Sequence, residues 1–98
     1  IHSKMKNTKE IFEFATKFRK KFNSIPLVCV PSTYNTVKEN ALIAKKFNIV
    51  IYANHLFRSA YPAMQKTAYE ILKYGRTKES DKNLISIKDI LKLIPGTD

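Results

Sequence analysis

The sequence predicts an α/β fold that contains a parallel β-sheet. Two apolar runs, at 27–30 and 49–53, are rich in β-branched residues and do not alternate with polar positions, which is typical of strands buried on both faces. Segments with helical periodicity surround them in the order αβαβαα. Buried strands that alternate with helices favour parallel pairing. With 98 residues, the chain is expected to form at most one small domain.

The first predicted helix spans residues 8–22. Asn7 and Glu10 have the spacing of a capping box, in which Asn7 accepts from the Glu10 amide and the Glu10 carboxylate reaches back. Asn23 and Ser24 end the helix, and Pro26 closes the turn. One apolar stripe recurs every three to four residues: Ile11, Phe14, Ala15, Phe18 and Phe22.

The two predicted strands enclose a second helix. The run LVCV at 27–30 contains Cys29, which has no second cysteine to pair with and is interpreted as a small core residue. After the loop PSTYNT, Thr36 and Glu39 offer a second capping box for a helix over 37–46. The strand IVIYA at 49–53 follows.

The C-terminal part is predicted to be helical. A long helix covers 56–74 and ends at Gly75, which suits the C′ position. A polar loop over 76–83 then leads to a short last helix over 86–94. The apolar face of the long helix comprises Phe57, Ala60, Met64, Ala68, Ile71 and Leu72.

The spacing of the apolar runs also indicates that residues 1–3 are the end of a strand. The segment IHS at 1–3 lies about one βα repeat before 27–30, and the two clear strands begin 22 residues apart. Two buried strands cannot cover each other's faces, and the first helix has no full strand before it. We therefore expect residues 1–98 to be the C-terminal portion of a larger α/β domain.

Charge and hydropathy bear on the partners. The net charge is +10, but fifteen of the eighteen basic residues are scattered lysines, whereas recognition of bases and phosphates favours arginine. The cluster KFRKKF at 17–22 is interpreted as the solvated face of an amphipathic helix. The longest apolar runs have four to five residues, far below the roughly 20 of a membrane span. We predict no nucleic-acid partner, no membrane partner and a cytoplasmic location.

Candidate site residues follow the predicted strands directly, where parallel α/β sheets bind ligands. They lie in three short polar stretches, at 2–4, 31–34 and 54–55, which include His2, Ser3, Lys4, Ser32, Thr33, Tyr34, Asn54 and His55. These stretches contain no carboxylate, no Ser-His-Asp set and no metal-ligand spacing. Cationic and neutral donors of this kind suit an anion such as phosphate or carboxylate.

Each of these residues also has an ordinary structural explanation. His55 can simply pack at the start of a helix, and Asn54 can serve as its N-cap. Ser32 and Thr33 can satisfy loop backbone groups. Tyr34 and Tyr52 are expected to be packing aromatics.

In order and spacing, four stretches resemble the C-terminal part of the phosphoenolpyruvate mutase family in the isocitrate lyase superfamily. They are IHSK, PLVCVPSTY, NIVIYANHLFRSAYPAMQKTA and ISIKDILKLIPGT, and the third is the most specific. Family members commonly have a threonine where Ser32 stands and a leucine where Phe57 stands.

The resemblance implies a (β/α)8 TIM barrel, of which this chain supplies the end of strand six, strands seven and eight, and their helices. It implies interconversion of phosphoenolpyruvate and phosphonopyruvate with Mg²⁺, whose ligands precede Ile1. By motif match, His2 contacts the transferring phosphoryl group, with an arginine and an asparagine from earlier strands. Ser3, Lys4, Ser32 and Thr33 are expected to bind substrate, and Asn54 and His55 to support the end of strand eight.

The resemblance also implies a homo-oligomer that exchanges its eighth helix between subunits, with Pro62 kinking that helix. The alternatives are a phosphonopyruvate hydrolase, another superfamily lyase acting on C–C bonds, or a small basic binding module. The chain alone is expected to be inactive and only marginally stable.

Overall fold

A computed structural model describes residues 1–96. Its elements are α1 (Lys9–Lys21), β1 (Val28–Cys29), α2 (Glu39–Ala44), β2 (Ile49–Val50), α3 (His55–Tyr74), a 3₁₀ helix (Lys78–Asn83) and α4 (Ile87–Leu91). The chain divides into two compact units, one over Ile1–His55 and one from Leu56 onward. Each unit is described by itself.

The first unit contains the predicted parallel sheet. β1 pairs with β2 in parallel, with Val28 beside Ile49 and Cys29 beside Val50. The amide of Ile51 donates to the Cys29 carbonyl at 2.9 Å, which extends the ladder beyond the two-residue strands. The parallel pairing is confirmed, although both strands are shorter than the apolar runs predicted.

Ile1 extends the sheet on the other side of β1. Its backbone nitrogen donates to the Val28 carbonyl, and the Val30 amide donates to the Ile1 carbonyl at 3.3 Å. A residue that bonds to both neighbours of Cys29 in this way has the hydrogen-bond pattern of a parallel strand. Ile1 therefore pairs with β1 in the manner of a parallel strand, on the side of β1 opposite to β2.

The two faces of this sheet differ. One face packs against α1 and α2, and its buried residues are Ile11, Ala15, Leu27, Cys29, Tyr34, Leu42 and Phe47. Burial of each large apolar side chain contributes roughly 1.5–3 kcal/mol. Val28 and Val30 alternate toward the opposite face, where Ile49 and Ile51 are about half exposed. Within this unit, only one face of the sheet is therefore covered.

Both predicted capping boxes are wrong. The N-cap of α1 is Thr8, and Asn7 accepts from the Lys9 amide rather than from the Glu10 amide. The N-cap of α2 is Lys38, which makes no side-chain cap. Glu10 and Glu39 instead bind side chains outside their own helices, because a partner across the fold competes with the local cap.

The interpretation of the cluster at 17–22 as a solvated face needs correction at Arg19. Its guanidinium donates to the Phe22 carbonyl at 3.0 Å and to the Ile25 carbonyl at 2.7 Å. It also donates to the Lys46 carbonyl at 2.7 Å and to Asn48 Oδ1 at 2.8 Å. Arg19 therefore ties the end of α1 to the segments that enter both strands.

The segment after α2 explains why Arg19 finds a carbonyl there. Lys46 has a positive φ of 62°. Its amide donates to Ile43 and the Phe47 amide donates to Leu42, which together form a Schellman motif at the C-terminus of α2. A left-handed lysine costs roughly 1 kcal/mol relative to glycine, and the bond from Arg19 helps to hold it.

The second unit is helical, as predicted. α3 contains Pro62 and continues through it to Tyr74. Gly75 follows with φ 65° and donates its amide to the Ile71 carbonyl, which confirms its C′ role. No helix between residues 1 and 96 is long and apolar enough to cross a membrane.

The loop predicted for 76–83 is instead largely a 3₁₀ helix. Its Ser80 is 1% exposed and donates to Glu70 of α3 at 2.9 Å. Arg76 donates to Glu79 through two nitrogens, at 2.9 and 2.7 Å. α4 begins after Ser86, whose hydroxyl accepts from the Asp89 amide at 3.1 Å. Polar side chains thus order a segment that its composition alone marks as a loop.

Candidate functional site

The predicted site stretches follow the three parallel segments of the first unit. Residues 2–4 follow Ile1, residues 31–34 follow β1, and residues 54–55 follow β2. Because the segments run in the same direction, all three stretches lie at the carboxyl edge of the sheet. β1 lies in the middle, so the loop after it is adjacent to both of the other stretches.

Ser3 is the centre of the hydrogen bonds at this edge, and it is 3% exposed. Its hydroxyl donates to Glu10 Oε2 at 2.9 Å and accepts from the Met5 amide at 3.0 Å. Its carbonyl accepts from the hydroxyl of Thr33. The structure thus joins the first two stretches directly, and it gives Ser3 and Thr33 structural hydrogen bonds at the site.

His2 lies between two residues that face the core. Ile1 packs against the core and Ser3 is buried, whereas His2 is exposed. Along an extended segment successive side chains alternate, so His2 is directed toward the other face of the sheet, the one that carries Val28 and Val30. His2 is therefore accessible, and its backbone is flanked by hydrogen-bonded residues.

A depression of about 490 Å³ opens beside Ser3. Its lining consists of Lys4, Lys6, Ser32, Thr33, Asn35 and Thr36. Two ammonium groups, three hydroxyls and an amide line it, and none of these side chains is a carboxylate. Such a lining suits an anionic group, which ammonium and hydroxyl donors can bind with charge-assisted hydrogen bonds.

Tyr52 lies just before the third stretch and contacts His55 within it. Its hydroxyl donates to Glu39 Oε1 at 2.7 Å, and its ring meets His55 edge to face, with centroids 6.0 Å apart. The hydrogen bond to the Glu39 carboxylate raises the pKa of Tyr52 above its usual value. Tyr52 is 55% exposed, so the prediction of a packing aromatic is wrong for this residue. α3 begins at His55, and Asn54 directly precedes it.

Tyr34 and Cys29 belong to the core, as predicted. Both are fully buried. Burial raises the pKa of the Cys29 thiol, and it also raises the pKa of Tyr34. Both groups therefore stay protonated at neutral pH, and neither faces the depression.

The described residues do not supply a metal site. Among residues 1–96, no group of three or more histidine, cysteine, aspartate and glutamate side chains is arranged to hold an ion. Glu10 and Glu39 each bind a hydroxyl at a different stretch of the edge. The described residues therefore do not fit a Mg²⁺ ion.

Sequence reasoning missed several residues at this edge. Their spacing predicts helix-capping roles for Glu10 and Glu39, whereas their carboxylates accept hydrogen bonds from Ser3 and from Tyr52. Lys6, Asn35 and Thr36 line the depression although they lie a few residues beyond the strand ends. Helical periodicity places both glutamates in first turns next to the carboxyl edge, and this position is the signal that could have revealed them.

Comparison with known proteins identifies relatives along almost the whole chain. It is 37% identical over 94 residues to phosphonopyruvate hydrolase from Variovorax sp. (strain Pal2). It is 30% identical over 93 residues to phosphoenolpyruvate phosphomutase from Tetrahymena pyriformis. Each match covers 95% of this chain but only 31% and 30% of the relative. No family model matches the chain.

Solved structures agree with these matches. The crystal structure of phosphoenolpyruvate phosphomutase from Streptomyces platensis subsp. rosaceus superposes with a TM-score of 0.81 at 30% identity, over 95% of this chain and 31% of that one. Phosphonopyruvate hydrolase, also solved in complex with oxalate and Mg²⁺, superposes with a TM-score of 0.80 at 36% identity, over 95% of this chain and 32% of that one. These neighbours are TIM-barrel enzymes. The chain spans about a third of their length, and it is homologous to that portion of the phosphoenolpyruvate mutase and phosphonopyruvate hydrolase family of the isocitrate lyase superfamily.

Proposed function

We propose that the protein containing this chain is a phosphoenolpyruvate mutase, which moves a phosphoryl group between the oxygen of phosphoenolpyruvate and the carbon of phosphonopyruvate. The observation that carries this proposal is the position of His2. It is an exposed residue of the motif IHSK, at the carboxyl edge of a parallel sheet in a chain homologous to both enzymes. We further propose that residues 1–98 form the C-terminal part of a (β/α)8 barrel.

The chemistry of the edge is consistent with phosphoryl transfer. A loose, metaphosphate-like group needs positioning and charge stabilisation more than covalent chemistry. An imidazole N–H of His2 can donate to a phosphoryl oxygen throughout the transfer. Lys4 and Ser32, which line the depression, can hold the negative charge of the substrate. Thr33 lines it too, but its hydroxyl proton is donated to the Ser3 carbonyl, so in this proposal Thr33 shapes the substrate site rather than donating to the anion. In this proposal Asn54 and His55 support the end of the neighbouring strand.

Several further properties belong to the same proposal. Mg²⁺ would be held by carboxylates outside this chain, since the described residues offer no set that fits. The protein would be a cytoplasmic homo-oligomer that exchanges a helix containing Pro62 between subunits. Light scattering tests this last point, and a monomeric full-length protein would contradict it.

Phosphonopyruvate hydrolysis is the second candidate, and one observation favours it. The chain is 37% identical to a hydrolase and 30% identical to a mutase over nearly the same residues. Both reactions break the same carbon–phosphorus bond, and His2 would contact the phosphoryl group in either case. The two reactions differ in the acceptor of the phosphoryl group, which is an oxygen of pyruvate in the mutase and water in the hydrolase.

Phosphorus NMR of the full-length protein with phosphonopyruvate and Mg²⁺ separates the candidates. A mutase produces the resonance of phosphoenolpyruvate, and a hydrolase produces inorganic phosphate. If phosphonopyruvate persists unchanged, both candidates are wrong, and a lyase acting on C–C bonds or a basic binding module becomes the better hypothesis.

Substitution of His2 tests the residue assignment. His2→Ala is expected to lower turnover by about 100-fold or more, because a donor to the transferring group is lost. His2→Asn keeps an N–H donor and is expected to retain more activity. Circular dichroism should show an intact fold for both variants. Turnover of His2→Ala near the wild-type value would contradict the assignment.

A further inference from the structure

We propose that Glu10 is a positioning residue for His2, and that it acts through the hydroxyl of Ser3. This inference deepens the proposed function, because it rests on a phosphoryl-contacting role for His2. The helix-capping role predicted for Glu10 does not account for its bond, since its carboxylate accepts from Ser3, the residue next to His2 in the chain.

The bonds of Ser3 determine where its proton points. A serine hydroxyl has one proton to donate and can accept through its lone pairs. The Met5 amide already donates to this oxygen at 3.0 Å, so the proton is free to point at Glu10 Oε2 at 2.9 Å. Ser3 is almost fully buried, and removal of Glu10 would leave its hydroxyl without this charged acceptor.

The segment around His2 is held from both sides. On one side, Ile1 makes two backbone hydrogen bonds to β1 and the residue after it. On the other side, the Ser3 carbonyl accepts from Thr33 and the Ser3 hydroxyl binds Glu10. Glu10 lies in the first turn of α1 and thus connects this segment to the helix. The backbone of His2 is therefore held between two anchored neighbours.

This anchoring matters because phosphoryl transfer depends on geometry. A misplacement of about 1 Å can cost about 100-fold in rate even when the reacting groups are intact. The imidazole of His2 is exposed, so its position depends on the backbone that carries it. Loss of the Glu10 bond is expected to loosen Ser3 and to displace the imidazole without removing any group that contacts substrate.

The test uses the full-length protein, with Glu10→Ala, Glu10→Gln and Glu13→Ala. Glu13 is exposed on the same helix and serves as the matched control. Glu10→Ala is expected to lower kcat about 10-fold or more while KM changes less than about threefold. Glu10→Gln keeps an oxygen acceptor and is expected to restore kcat to within about threefold of wild type. Failure of the glutamine variant to restore kcat would contradict the proposal.

Combination with His2→Ala separates positioning from general stability. If Glu10 acts through His2, Glu10→Ala lowers kcat much less in the His2→Ala background than in the wild type. If Glu10→Ala lowers kcat by the same factor in both backgrounds, the positioning role of Glu10 is wrong, but the proposed contact of His2 with the phosphoryl group is not affected. Ser3→Ala removes the hydroxyl that donates to Glu10, with little change in side-chain volume. This variant replaces Glu10→Ala in the test if Glu10→Ala does not fold. Wild-type kcat for Ser3→Ala would also overturn the inference.

A measurement that does not depend on activity completes the test. With labelled histidine, the NMR resonances of the His2 ring are expected to shift or broaden in Glu10→Ala but not in Glu13→Ala. Unchanged His2 resonances would overturn the proposal whatever the kinetics show. Shifted resonances in a protein whose His2→Ala variant retains full turnover would support the positioning contact and reject the proposed function.

Discussion

Arg19 offers the sharpest prediction about stability. Its guanidinium makes four hydrogen bonds, to three carbonyls and to the side chain of Asn48. Hydrogen bonds to a charged donor contribute about 1.5–3 kcal/mol each when well buried. These bonds lie near the surface, so water can hydrogen-bond to the same carbonyls when the guanidinium is removed, and the net loss is smaller. We therefore expect Arg19→Met to cost about 2–3 kcal/mol in total, which is within the range of single-site effects.

The loss of stability in Arg19→Met should be largest in the segments that precede β1 and β2, because Arg19 binds both of them. The amide of Asn48 donates to the Leu27 carbonyl at 2.8 Å, and the Leu27 amide donates to Asn48 Oδ1 at 2.8 Å. A loss of 2–3 kcal/mol is expected to accelerate hydrogen exchange of these amides about 30- to 150-fold in the full-length protein.

Lys20→Met is the control for this experiment. Lys20 is exposed and adjacent, and its substitution removes one positive charge and adds the same side chain. Exchange at Leu27 and Asn48 that is no faster in Arg19→Met than in Lys20→Met would refute the proposed role of Arg19.

Two further predictions concern Gly75 and Cys29. Gly75→Ala is expected to lower the free energy of unfolding by about 1 kcal/mol through backbone strain alone, because φ is 65° and no atom lies within 4 Å of an added Cβ. Gly75→Asn should lower the free energy of unfolding by less. Equal melting temperatures for the wild type and Gly75→Ala would contradict the predicted strain. The fully buried Cys29 thiol should react with iodoacetamide at least about 100-fold more slowly than a free thiol at pH 8, as followed by peptide mass spectrometry. Because burial raises its folded pKa, its contribution to stability is complete below the unfolded pKa of about 8.5 and declines as pH rises above that value. Rapid labelling of Cys29 in the native protein would be inconsistent with its position.

Much of the carboxyl edge could be predicted from the sequence. The stretches at 2–4 and 31–34 follow parallel segments and are joined by the bond between Thr33 and Ser3. The rule that ligands bind at the carboxyl ends of parallel strands needs only the strands and their direction, and both are encoded in apolar runs. The role of each residue within that edge did not follow from the same rule, because hydrogen-bond partners depend on distances between segments.

The helices α1 and α3, the parallel pairing of the strands, and the end of α3 at Gly75 could all be predicted from the order of the amino acids. These features depend on local periodicity and backbone preference, which a chain carries residue by residue. The partners of the long polar side chains, in contrast, depend on how the segments pack in three dimensions. Glu10 and Glu39 bind Ser3 and Tyr52 instead of capping their helices. Arg19 binds four acceptors near the starts of the two strands instead of lying on a solvated face. A long side chain reaches partners distant in sequence, and the fold determines which of them lies within hydrogen-bonding distance.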